Sequence, residues 1–297
     1  MSEDKIIAHT AEPITKSSDE SDDGLNRYTE DFLHFYGSDR QDLDKTEAFN
    51  NLLADLRFIR DKYGIRPKMH RPNKSDKKSV DAEKMSFEDA VNAIQIFREE
   101  IIKYPPELIK NAGITHFRVV ERLWGKFLRD KQEIAGRSYE PGEIYVANRD
   151  DSDDYRGTIH HELLHRFDFQ RYEFKDKIPF AGWIDGIMDA RIDKEWKQLN
   201  QHYGVKYEGN NWPQMLFRPE GFATAYGSMN AHEDRATLAE LLMTNTRTLF
   251  RRCRTDRLLK DKTDTLISLY EKDSNGKMNV KFFNDLAAGS VNENYWK

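Results

Sequence analysis

Apolar residues recur at helical spacing through residues 42–63, where Leu43, Phe49, Leu52, Leu53, Leu56 and Ile59 share one face and Gly64 stops the run. A second amphipathic stretch covers residues 86–103. Ser86 supplies its N-cap, Asp89 stands three residues on in the place usually given to glutamate, and Tyr104-Pro105-Pro106 ends it. Residues 114–120 and 143–147 instead gather β-branched and aromatic side chains and predict strands. A helix is expected over 158–170, with Ile159, Leu163, Leu164 and Phe167 turned into the protein, and further helices over 189–199, 231–250 and 263–270. Between 171 and 220 the aromatics Trp183, Trp196, Tyr203, Tyr207 and Trp212 read as packing, with loops around 209–213. The pattern is α+β: a small mixed sheet, one central helix and a mainly helical C-terminal part. No internal repeat is visible.

The segments outside these elements suggest three divisions. Residues 1–27 are acidic and polar and read as a solvated tail. Residues 28–84 form an N-terminal helical region followed by a mobile basic linker at 66–84, which carries Pro67, Pro72, Lys74, Lys77 and Lys78. Residues 85–297 form the main domain, long enough to bury a sizeable core.

Charge and composition narrow the partners. A net charge of -5 and a pI near 6.0 argue against a nucleic-acid binder, which would show a basic stripe. No window approaches 18 consecutive apolar residues, so no membrane span is expected. The N-terminus lacks the charged-then-apolar layout of a signal peptide, which leaves a cytoplasmic protein or one delivered or secreted without a visible signal. Cys253 is the single cysteine, so no intramolecular disulfide is possible, and any zinc site must use histidine and carboxylate.

The central helix carries His161-Glu162-x-x-His165, the pattern of zinc-dependent peptidases. Its spacing has a chemical reason. At 3.6 residues per turn, His161 and His165 lie about 40° apart around the axis, so both imidazoles can reach one zinc ion. Glu162 sits beside the first ligand, where it can take a proton from an activated water without binding the metal. Asp168, seven residues after His161, returns to the same face. Its carboxylate can hold the far nitrogen of a ligand histidine or a neighbouring polar group. His160 points away from His161 and reads as a packed or hydrogen-bonded histidine.

A catalytic zinc needs a third protein ligand. Asp168 and Arg171 stand where a metzincin would continue with glycine and histidine, so that class is excluded. The best source is the stretch 225–240. There Asn230 looks like a helix N-cap that places Glu233 in the first turn, although Glu233 could equally close a capping box. His232, Asp234 and Glu240 compete with it as ligands.

The combination of Tyr226-Gly227-x-x-Asn230-x-x-Glu233-x-x-Ala236 with the upstream His161-Glu162-x-x-His165-x-x-Asp168 resembles the catalytic domain of anthrax lethal factor and its relatives. These include the Pro-Pro endopeptidases, and all are gluzincins. The resemblance covers roughly residues 100–250 and is concentrated at the two motifs. It implies a zincin-like metallopeptidase fold, one zinc ion held by His161, His165 and Glu233, and Tyr226 stabilising the tetrahedral intermediate. Asp234-Arg235 departs from the family's aromatic tendency, and Thr237 from its glutamate.

The chain therefore reads as a zinc endopeptidase acting on a protein or peptide substrate bound in extended form along an edge strand, for which residues 143–147 are the candidate. The alternatives are a zincin-fold binding protein without activity and a zinc hydrolase of a non-peptide amide. Residues 271–279 imitate the first half of a calcium-binding EF-hand loop, but Phe282 stands where the bidentate glutamate belongs, which leaves a turn between helices.

Overall fold

In chain order the elements are α1 (Glu47–Tyr63), β1 (Arg66–Lys68), β2 (Val80–Ala82), α2 (Phe87–Ile101), α3 (Pro106–Asn111), β3 (His116–Val120), β4 (Leu123–Phe127), β5 (Asp130–Ile134), β6 (Gly136–Tyr139) and β7 (Glu143–Ala147), then α4 (Ser152–Arg171), a single 3-10 turn (Tyr226–Ser228), α5 (Ala231–Thr244), α6 (Thr246–Arg252), α7 (Arg257–Asp273) and α8 (Val280–Ala287). The computed structural model describes residues 47–68, 80–83, 85–127, 130–139, 142–148, 152–171, 194, 196–209 and 218–297. The acidic stretch 1–27, residues 69–79, Trp183 and Trp212 lie outside the described residues. The fold is α+β, with a small mixed sheet, the helix that bears the histidines, and a mainly helical C-terminal part.

The periodic segments form where their patterns place them. Phe49, Leu52, Leu56 and Ile59 of α1 are buried, and Gly64 (φ 76°) ends the helix. Ser86 caps α2, its Oγ accepting from the Asp89 N–H at 3.1 Å. Strands β3 and β7 pair in parallel, with Phe117, Val119, Ile144, Tyr145 and Val146 buried. Such continuous burial fits parallel strands covered by helices. On one face, Phe97 of α2 stacks on Phe117 with ring centroids 3.6 Å apart.

The sheet order corrects the expected edge strand. The four-stranded sheet runs β1-β3-β7-β6, so residues 143–147 form an interior strand. Among the described residues β6 is the outer strand on that side, antiparallel to β7, with Ser138 opposite Ile144. Gly136-Arg137-Ser138-Tyr139 has no β-branched run to announce a strand. Its conformation comes from pairing with β7.

The expected linker is also corrected at both ends. β1 pairs in parallel with β3, and β2 pairs antiparallel with β4 in a second, three-stranded sheet ordered β2-β4-β5. Three-residue strands are too short to carry a period and depend on their partners. Residues 42–297 form one compact unit that includes α1 and β1.

Further along, α4 starts at Ser152, six residues before the expected start, with Asp153 and Asp154 in the first turn where the helix dipole favours anions. The expected helix over 231–250 is two helices, α5 and α6, broken at Asn245, whose side chain caps α6. The turn after α7 contains Asn275 and Gly276 at positive φ, and Asp273 is engaged by Arg171. That is the expected connection between helices. Among the described residues no helix is long and apolar enough to cross a membrane.

Candidate metal centre

His161 and His165 project from α4 toward α5, the two helices that pack most extensively on each other. Around the rest of α4, Tyr155, Ile159, Leu163, Leu164 and Phe167 are buried, so both imidazoles are left facing the interhelical side. Asn230 caps α5 by accepting from the N–H groups of His232 (2.9 Å) and Glu233 (3.0 Å), which fixes Glu233 in the first turn as expected. The Glu233 carboxylate is turned to the histidines. Its Oε2 lies 3.1 Å from His161 Nε2 and 3.8 Å from His165 Nε2, and the two Nε2 atoms are 3.1 Å apart.

These separations suit a metal. A tetrahedral zinc with arms of about 2.0–2.1 Å needs donor atoms about 3.3–3.4 Å apart. Glu233 Oε2 is also buried without a hydrogen bond. Leaving a buried carboxylate oxygen in that state is costly unless a cation shares the site. Among the described residues, His161, His165 and Glu233 are the group of three whose ligand atoms all fall within 4.8 Å of one another. Burial opposes ionisation of Glu233, but the imidazoles of His161 and His165 and the Tyr226 hydroxyl hold its pKa at about 2. Burial likewise opposes the charged form of His161, yet Glu233 and Glu240 push it up to about 10. At His165, burial and then the neighbouring His161 push it down to about 4.

Glu162 points from α4 to the outer strand. Ser138 Oγ on β6 donates to Glu162 Oε2 at 2.9 Å and lies 2.7 Å from its backbone oxygen. Gly136, two residues earlier on the same face, is required by this contact, since a Cβ there would come 2.7 Å from Glu162 Cγ. Burial pushes the Glu162 carboxyl up to about 7, with the charge of Glu233 adding to the rise and His161 and Ser138 opposing it. Tyr226 opens the 3-10 turn before α5. Its ring stacks on His161 at 6.2 Å between centroids, and its hydroxyl bonds Glu233. Gly227 lets the turn approach, because a Cβ there would meet Thr237 Oγ1 at 2.6 Å.

Asp168 has arginines as its partners. It is fully buried and accepts from Arg171 Nη1 (2.6 Å) and from Arg235 Nη2, so it holds neighbouring polar groups and ties α4 to α5. The competing ligands at 232, 234 and 240 fall outside the trio. His232 stands beside His165 with ring centroids 6.4 Å apart. Asp234 accepts from Lys262 Nζ (2.7 Å) and Tyr207 OH (3.0 Å), and Glu240 Oε2 lies 3.7 Å from His161 Nδ1. His160 is the hydrogen-bonded core histidine expected, between Tyr104 OH at 2.7 Å and Glu100 Oε2 at 2.6 Å.

Removing one member of a buried ion cluster leaves an uncompensated charge. Asp168→Ala is therefore expected to lower the stability of the metal-free protein by about 3–5 kcal/mol. Denaturant unfolding of the two proteins measures it, and a loss under about 1 kcal/mol would contradict the cluster's role.

Sequence reasoning missed Ser138, Lys262 and the position of Glu240 beside His161. None lies within helical reach of the motifs, so no local spacing points to them.

No family model matches the chain, and no curated protein matches it in sequence. A solved structure is similar in fold: a Bacteroides caccae protein provisionally named a zinc-binding metallo-peptidase superposes at TM-score 0.52 and 12% identity, over 84% of this chain and 95% of that one. At that identity the likeness is one of fold, and the fold is metallopeptidase-like.

Proposed function

We propose that the protein is a zinc-dependent endopeptidase of the gluzincin kind, related to the catalytic domain of anthrax lethal factor and the Pro-Pro endopeptidases. The observation that carries this reading is the convergence of His161 Nε2, His165 Nε2 and Glu233 Oε2 at tetrahedral spacing, with Glu162 adjacent on the same helix. The fold of the Bacteroides caccae protein supports it.

One zinc ion, held by those three side chains, supplies positive charge and an activated water when bound. The remaining work falls to the chain. Glu162, held by Ser138, takes the proton of the attacking water and returns it to the leaving amine. Tyr226 donates a hydrogen bond to the oxyanion that develops on the scissile carbonyl, having Glu233 as its partner beforehand. An extended peptide pairs with the outer strand β6. Because Ser138 belongs to that strand, substrate binding and the general base share one element.

The test has two halves. Purified protein is expected to carry about one zinc by elemental analysis and to cleave members of a peptide library, with cleavage abolished by a chelator and restored by zinc. Cleavage of small amides but not peptides would favour the non-peptide hydrolase. A zinc-loaded protein that cleaves neither would favour a binding role.

A further inference from the structure

Glu240 lies seven residues beyond Glu233, two turns along α5 and about 20° from it around the helix axis, roughly 10.5 Å further along. The His161 ring spans the gap between them. Its Nε2 faces Glu233 Oε2 at 3.1 Å, and its Nδ1 faces Glu240 Oε2 at 3.7 Å. The path from α5 to Nδ1 crosses α4 at Gly157, one turn before His161. A Cβ on Gly157 would come 2.7 Å from Glu240 Oε1 and 2.8 Å from its Cγ. Glycine is a poor residue for a helix interior, and here its missing side chain is the slot that Glu240 occupies.

We infer that Glu240 is a positioning residue for the metal, orienting His161 through Nδ1 by way of the Gly157 slot. A carboxylate on one imidazole nitrogen keeps the proton there and leaves the lone pair of Nε2 for the ion. One face of α5 thus provides a ligand and also aligns a ligand on the neighbouring helix. The inference rests on the zinc reading above.

Zinc affinity of the full chain, measured by competition with a chromophoric chelator, tests it in the wild type, Glu240→Ala, Glu240→Gln and Gly157→Ala, with melting of the metal-free proteins followed in parallel. Glu240→Ala is expected to raise the zinc Kd about 10- to 100-fold with little change in metal-free melting. Glu240→Gln should lose less, since its amide oxygen can take the place of the carboxylate oxygen facing Nδ1. Gly157→Ala displaces Glu240 without altering it, and alanine favours the helix, so a matching loss of affinity there is not explained by a weaker helix. Should Glu240→Ala fail to fold, the other two variants carry the test. One zinc in the wild type with unchanged Kd in all variants overturns the role of Glu240 and leaves the zinc reading standing. No zinc in the folded wild type overturns both.

Discussion

Glu162→Gln is expected to bind zinc as the wild type does and to lose turnover by about a hundred- to ten-thousand-fold, the usual contribution of a positioned general base. Glutamine keeps the shape of the side chain, and its amide oxygen can still accept from Ser138 Oγ, so the contact with β6 survives. What disappears is the ability to take a proton from water and hand it on. The substitution also removes a buried negative charge that Glu233 disfavours, so the metal-free fold is not expected to weaken. Zinc content and turnover, measured on the same preparation against a peptide taken from the library digest, decide the matter. Turnover above trace contamination in the zinc-loaded variant would remove Glu162 from the mechanism.

Glu233→Ala should lose the metal. The wild type is expected to hold about one equivalent after dialysis, and the variant a small fraction of that. Two imidazoles remain without the carboxylate that faces both, and Tyr226 loses its hydrogen-bond partner. Elemental analysis with folding checked by circular dichroism measures it. One zinc in both proteins would remove Glu233 from the ligand set.

The parts of the fold that could be read in the sequence are those whose information is local. The apolar faces of α1 and α2, the Ser86 cap, the pairing histidines of α4 and the Asn230 cap of α5 all follow from spacings of three or four residues. The strands of residues 143–147 were also legible, but their place in the sheet was not, since order depends on which segments pair. For the same reason β6 escaped notice. Asp234 and Arg235 looked like departures from a family pattern. Their partners, Lys262 and Asp168, lie 28 and 67 residues away, and buried ion pairs of that kind have no signature along the chain. The Glu233 carboxylate could not be chosen over its neighbours by spacing alone, because a capping box and a ligand begin from the same turn. Resemblance to a family pointed to it, and the distances to both histidines now give an independent reason.

Three successive residues of α5 face three directions: Glu233 toward the histidines, Asp234 toward Lys262 of α7, and Arg235 toward Asp168 of α4. Turning the helix by a single residue, about 100°, would set Arg235 against Lys262 in one direction or Asp234 against Asp168 in the other. The angular setting of Glu233 is therefore keyed by charge, and one of the keys is cut late in the chain. Lys262 lies 28 residues beyond Asp234, so Asp234 has no lysine to meet until α7 has been made, whereas Asn230 and Asp168 already precede it. One of the contacts that set Glu233 is thus completed only with α7, some thirty residues after the candidate ligands themselves.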